Sequence, residues 1–392
     1  MMSAVLSNPS HPKYGVATIP FPIPSDQYAH CMELLEALEI GDAVKADCKV
    51  TKIDSFYTVL KRTEMLTVNV EELNYLAKRL ESFDTGEAAQ FQAMAHKLEL
   101  FELKDLINLT FCCQQATVIT DFSDLAAVGR DHYMNLHGGS AKTEELDALD
   151  GEETARRLIE SGSGTITPYG VVYDMKLEQI YDGRFFPCYY YKPNVITVAV
   201  TSKSEPEDTE HITWLFLPMV QEEIDRALLR GGITDPSEIR LSLEDSWLPH
   251  EVLDLLDMDH VDISELNALV QALDEFSDMS IRKYAAAAVM ARPHTTEQAK
   301  HLAENLDLFD FAPSASTPEE YGKYMIQKSG RFDYDENLDA FYDYEKYGTE
   351  RMNAEDGMFT DRGYIAYKGY ISMEEVMNGS QSSHMVLGGL SR

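Results

Sequence analysis

The segment VNVEELNYLAKRLESF (68–83) returns as VDISELNALVQALDEF (261–276), matched at Glu72/Glu265, Leu73/Leu266, Asn74/Asn267, Leu76/Leu269, Leu80/Leu273 and Phe83/Phe276 with a constant offset of 193 residues. Upstream, Pro22 of FPIPSDQYAHCMELLEALEIG stands opposite Pro218 of LPMVQEEIDRALLRGGI. Downstream, Tyr133-Met134 stands opposite Tyr324-Met325, so the offset stays between 191 and 196. Two copies of one unit, each built on one framework, are the economical explanation of a repeat over such a span. In each, a short strand, a helix introduced by Pro, a second strand (SEIRLSLEDSW in the later unit) and several helices follow in turn. Within the later segment, Leu266, Leu269, Val270 and Leu273 recur at helical spacing and face a core, which leaves Glu265, Gln271, Asp274 and Glu275 toward solvent.

Between the two units, TITPYGVVYDMKLEQIYDGRFFPCYYYKPNVITVAVTSK (165–203) is rich in β-branched and aromatic residues and reads as several strands, with a turn at Asp182-Gly183. SKSEPEDTEH (202–211) reads as a linker, and the closing NGSQSSHMVLGGLSR as a mobile tail. The expected class is α+β, an elongated series of small α/β and helical modules. Its domains are a first unit (1–140), a β-rich insert with linker (141–205), a second unit (206–330) and an acidic C-terminal module with tail (331–392).

A hydrophobic content of 44% in 392 residues is that of a globular chain with more than one core. Its 67 Asp and Glu against 33 Lys and Arg give a net charge of -34, which argues against direct binding to nucleic acid or anionic lipid and for basic partners. The start, MMSAVLSNPSHPKYG, has no basic flank and apolar core, and the longest apolar run, YAAAAVMA (284–291), is far too short to span a bilayer. No membrane and a cytoplasmic location are therefore expected. Cys31, Cys48, Cys112, Cys113 and Cys188 form an odd set without CxxC spacing, so reduced thiols are expected rather than disulfides or zinc.

Motifs that carry chemistry fail at defining positions. A calcium loop begun at Asp257 would place Val261, Asp262 and Ala268 where a ligand, a Gly and a carboxylate belong. GGSAKT (138–143) has Ala141 in place of the Gly that precedes a phosphate-loop lysine, and HGGS (137–140) has no G-x-S-x-G elbow to serve. His250 and His260 flank the acidic segment without a Cys partner. No catalytic residue, metal or cofactor is expected, and the chain does not read as an enzyme.

The charge itself is the remaining signal. From 241 to 281 stand Glu244, Asp245, Glu251, Asp254, Asp257, Asp259, Asp262, Glu265, Asp274, Glu275 and Asp278, with no Lys or Arg. A merely soluble surface intersperses both signs. Asp335, Asp339 and Asp343 stand four apart and are expected to line one helix face, where like charges cost about 0.2–0.5 kcal/mol per pair. Duplex DNA carries about two charges per base pair, so -34 matches roughly 17 base pairs.

Four segments, in order, resemble the ArdA antirestriction family: LPMVQEEIDRALLRGGI, EIRLSLEDSWLP, DISELNALVQALDEF and DENLDAFYDYEKYGTERMNAEDGMFTDRGYIAYKG. The run Tyr342-Asp343-Tyr344-Glu345-Lys346-Tyr347-Gly348, followed by Gly363-Tyr364-Ile365, is the most specific part. The resemblance covers 211–370 well and 14–135 more weakly. It implies an elongated, acidic mimic of double-stranded DNA that dimerises, occupies the DNA groove of type I restriction-modification enzymes and inhibits them stoichiometrically. By the same resemblance the phosphate-mimicking surface would comprise Glu251, Asp254, Asp257, Asp259, Asp262, Glu265, Asp274 and Glu275, joined by Asp335, Glu336, Asp339, Asp343 and Glu345; Glu244, Asp245 and Asp278 extend it on charge alone. A minimal member of the family lacks the earlier unit and the insert, so two units in one chain could stand in for the family's homodimer or extend it. The alternative is an acidic mimic or scaffold aimed at another basic DNA-binding defence complex, such as a CRISPR nuclease, or at a conjugation protein.

Overall fold

The computed structural model describes residues 2–173, 176–204 and 210–379. The expected linker and tail lie partly outside the described residues, at 205–209 and 380–392. The fold is mixed α+β, and the chain divides into two compact units: Met1–Lys192 with Glu207–Trp214 and Val220–Thr234, and Pro193–Pro206 with Leu215–Met219 and Asp235–Arg392.

The first repeat opens with β1 (Met2–Ser7), β2 (Ala17–Phe21), α1 (Tyr28–Glu36), β3 (Cys48–Asp54) and the short β4 (Thr67–Val68), in sheet order β2-β1-β3-β4. Helices α2 (Val70–Glu81), α3 (Thr85–Lys97) and α4 (Leu103–Leu109) follow. Then come β5 (Thr117–Ile119), α5 (Leu125–Leu136), α6 (Thr143–Ala148), α7 (Gly151–Glu160), β6 (Thr165–Thr167) and β7 (Gly170–Tyr173), with sheet order β5-β7-β6.

The second repeat runs in the same order: β8 (Ile196–Ser202), β9 (Thr213–Leu217), α8 (Gln221–Arg230) and β10 (Ile239–Ser246). It continues with α9 (His250–Leu253), α10 (Ile263–Asp274), α11 (Asp278–Ala291), α12 (Thr296–Glu304), β11 (Phe309–Pro313), α13 (Pro318–Gln327), α14 (Tyr344–Ala354), β12 (Asp356–Thr360) and β13 (Gly363–Tyr367), and the short α15 (Met373–Met377) follows. Its sheet order β11-β13-β12 repeats β5-β7-β6, and β10-β8-β9 repeats the β3-β1-β2 part of the first sheet, with no counterpart of β4 among the described residues.

This correspondence corrects two expectations. The 141–205 stretch is not a separate β-rich insert: α6, α7, β6 and β7 complete the first repeat, β8 opens the second, and 176–194 holds no helix or strand. Likewise the boundary at 330 cuts through one body, because α13 and α14 pack together across it and β11 pairs with β13. The first repeat therefore extends to Tyr173, and its last module is the counterpart of residues 309–367.

Sequence dictates the shared framework at a few points. In α2, Val70, Leu73, Leu76, Ala77 and Leu80 are buried, and in α10, Ile263, Leu266, Leu269, Val270 and Leu273 are. Each such large apolar side chain contributes about 1.5–3 kcal/mol. Asn69 caps α2 by accepting from the amides of Glu71 and Glu72, and Asp262 caps α10 by accepting from Ser264 and Glu265. Asn74 and Asn267 are buried and do more than pack. The Asn74 Oδ1 accepts from the amide of Ile23 at 2.8 Å and the Asn267 Oδ1 from that of Met219 at 2.9 Å, each holding the chain just after a cis proline, Pro22 or Pro218.

The last modules meet through glycines. A Cβ on Gly129 would lie 1.8 Å from the carbonyl oxygen of Gly151, and one on Gly322 would lie 2.0 Å from that of Tyr344. Only glycine lets α5 approach α7, and α13 approach α14, backbone to backbone. The strand turns also match: the Thr167 Oγ1 donates to the Gly170 carbonyl and the Thr360 Oγ1 to that of Gly363, both at 2.8 Å.

Candidate partner-binding surface

The carboxylates between 241 and 281 sit on four successive elements. Glu244 and Asp245 lie at the end of β10, and Glu251 on α9. Asp254, Asp257 and Asp259 occupy the turns between α9 and α10, Asp262 caps α10, Glu265 and Asp274 ride on its outer face with Glu275 just beyond, and Asp278 begins α11. All but Glu251 are exposed, while the leucines of α10 point inward. Local backbone chemistry fixes several of them. Asp257 accepts from the amide of Asp259 at 3.2 Å and contacts the His260 ring at 2.8 Å, and Asp262 accepts from Ser264 at 2.8 Å.

Glu251 differs from the others. Its two oxygens accept from the Arg362 Nε and Nη2 at 2.7 and 2.8 Å, and its side chain is only 10% exposed. The Arg362 guanidinium holds the Glu251 carboxyl below the usual carboxylate range. Glu251 is thus spent inside the molecule, and Arg362 answers an acidic segment that has no cation of its own.

The stripe expected at Asp335, Asp339 and Asp343 does not form. Asp335 caps a 3-10 turn (Glu336–Phe341), Asp343 caps α14, and Asp339 lies between them, so no single helix carries all three. Aspartate at these positions serves helix starts, which is why the spacing imitates a helical period. Asp339 is half-buried and accepts from the hydroxyls of Tyr334 and Tyr344, each at 2.6 Å, and from Gln327 at 2.9 Å; these bonds hold its carboxyl below the usual range. Asp335, Glu336, Asp343 and Glu345 remain exposed.

The first repeat gives the contrast. By the constant offset of 193, Lys52 stands where the second repeat has Asp245, and Lys61 where it has Asp254; both lysines are exposed. Its α2 acids are also engaged within the first compact unit. The Arg226 Nε contacts Glu71 at 2.5 Å, and Arg230, 4% exposed, lies 3.7 Å from Glu72 while donating to the Ala43 carbonyl and the Asn69 side chain. Lys78 pairs with Glu223 at 2.9 Å, and Arg79 stacks on Phe111 and Tyr189. Over the whole repeats, 26 acids and 14 bases in 2–173 give -12, and 36 acids and 14 bases in 196–367 give -22.

Residues 209–366 match the family model of the antirestriction protein ArdA. The matched segment is about two fifths of the chain, and it contains the acidic elements of the second repeat but none of the first. The ArdA resemblance read at 211–370 is therefore borne out over residues 211–366. No curated protein matches the chain.

Among the described residues, no group of three or more His, Cys, Asp and Glu side chains gathers as metal ligands would. The cysteines are unbridged, and four of them, Cys31, Cys48, Cys112 and Cys113, are buried. No helix among the described residues is long and apolar enough to cross a membrane. Sequence reasoning missed Arg362, Arg226 and Arg230. Aligning the turn TPYG (167–170) with TDRG (360–363) at the same offset would have drawn attention to Arg362.

Proposed function

We propose that the protein is an antirestriction inhibitor whose second repeat presents phosphate-like carboxylates and occupies the DNA-binding groove of a type I restriction-modification enzyme. The observation that carries this reading is the run from 241 to 281, where ten of eleven carboxylates are exposed and no Lys or Arg intervenes. The same framework in the first repeat tolerates lysines at two of these positions, so the fold does not require the acids. A net charge of -22 on the second repeat equals that of about 11 base pairs of duplex. Glu244, Asp245, Asp254, Asp257, Asp259, Asp262, Glu265, Asp274, Glu275 and Asp278 form the contact set, with Asp335, Glu336, Asp343 and Glu345 as its extension. Inhibition on this reading is by occupancy, with no bond made or broken.

The test is a titration of a type I enzyme with the protein while restriction and DNA binding are both followed. Inhibition saturating at a fixed molar ratio and relieved by excess duplex DNA supports the reading. Inhibition that duplex DNA cannot relieve, or turnover of DNA by the protein alone, removes it.

A further inference from the structure

We propose that Arg362 is a positioning residue for the acidic segment 251–262, clamping it through Glu251 so that Asp254, Asp257 and Asp259 are presented in a fixed arrangement. This rests on the functional reading above for its purpose, but not for its geometry. Between Val252 and Ile263 no residue is buried, so the segment has little core of its own to hold it. Its order depends on short-range amide bonds, among them Asp254 to the His250 carbonyl at 2.8 Å and Val261 to that of Asp257 at 2.8 Å. The bidentate Arg362–Glu251 pair ties the start of this segment to the β12–β13 turn, 111 residues away in sequence. That turn is itself fixed, because the Thr360 Oγ1 accepts from the Arg362 amide at 3.2 Å and donates to Gly363. The His250 ring also faces the carboxylate, with its Nδ1 3.4 Å from Glu251.

The first repeat supplies an independent observation. At the positions offset by 193 residues from Glu251 and Arg362 stand Thr58 and Tyr169, and their side-chain oxygens are 2.6 Å apart in a hydrogen bond. The same two points of the framework are tied together in both repeats, once by hydroxyls and once by charges. Tethering is therefore the constant feature, and ionic chemistry is the second repeat's way of achieving it. A segment held before binding loses less conformational freedom on association, which raises affinity without adding a contact.

The experiment compares Arg362→Ala, the exchange Glu251→Thr with Arg362→Tyr, and the triple change Asp254→Asn, Asp257→Asn and Asp259→Asn. Amide hydrogen exchange across 252–262 and affinity for a type I enzyme are read on the full chain. Arg362→Ala should speed exchange in this segment by about tenfold, as expected when one charged hydrogen-bonded pair is lost, and weaken binding by a similar factor. The Thr–Tyr exchange should restore both toward wild type, whereas the triple Asn variant should weaken binding with exchange unchanged. Exchange unaffected by Arg362→Ala overturns the clamp. So does a Thr–Tyr variant that exchanges slowly yet binds poorly, since Glu251 would then act as a contact residue. A wild-type chain that fails to bind the enzyme defeats the functional reading alone, and the exchange measurement still decides the clamp.

Discussion

The two repeats share the order of their main elements, the strand order β3-β1-β2 and β5-β7-β6 of their sheets, capping positions, buried asparagines and glycine-mediated helix contacts, yet they use charge in opposite ways. In the first, the α2 acids Glu71 and Glu72 are engaged by Arg226 and Arg230, and exposed lysines, Lys52 and Lys61, stand where the second repeat has Asp245 and Asp254. In the second, the corresponding surface is left negative, and the acid beside the turn, Glu251, is consumed by a clamp. Framework and surface charge have diverged independently, which is what a surface shaped by its partner rather than by folding would show.

Predictions on this comparison run from large to small. Arg230 is the most deeply buried cation among the described residues of the first unit, so Arg230→Ala removes the cation beside Glu72 and leaves the carbonyls of Ala43, Gly183 and Arg184 without its donors. It should destabilise that unit by about 3–5 kcal/mol, measurable by denaturant unfolding. Giving the second repeat the first repeat's residues, Asp245→Lys with Asp254→Lys, should leave stability nearly unchanged but weaken binding to a type I enzyme on the order of 100-fold, because like charges would then face the basic groove. Gly322→Ala forces a Cβ to within 2.0 Å of the Tyr344 carbonyl; a loss of about 1–3 kcal/mol in thermal unfolding is expected, with a similar loss for Gly129→Ala. Smallest of all is Asp262→Asn, which copies Asn69. The cap survives, stability should stay within about 0.5 kcal/mol, and only the charge contribution to binding should fall.

What the sequence revealed follows from which forces leave a periodic trace. The α2/α10 correspondence was legible because burying Leu73, Leu76 and Leu80, like Leu266, Leu269 and Leu273, imposes a helical period on identity. The same period placed the acids of α10 outside. Beyond the Tyr133-Met134 match, the last module of the first repeat was not legible, because little apolar pattern survives there. What persists is Gly129/Gly322, Gly164/Gly357, Thr167/Thr360 and Gly170/Gly363, residues kept for close backbone approach and a tight turn, which hydrophobic periodicity does not report. The Asp335–Asp339–Asp343 spacing misled for a related reason, since caps of successive short elements can fall four residues apart without sharing a helix. Glu251 could not be separated from its neighbours by composition, because its partner lies 111 residues downstream.

The most direct test of the central claim is the salt dependence of binding to a type I enzyme, measured for the wild-type chain and for the Asp245→Lys, Asp254→Lys variant. If the second repeat's carboxylates stand in for phosphates, wild-type affinity falls steeply with ionic strength and the variant's slope is markedly shallower. Equal slopes for the two proteins would contradict the account.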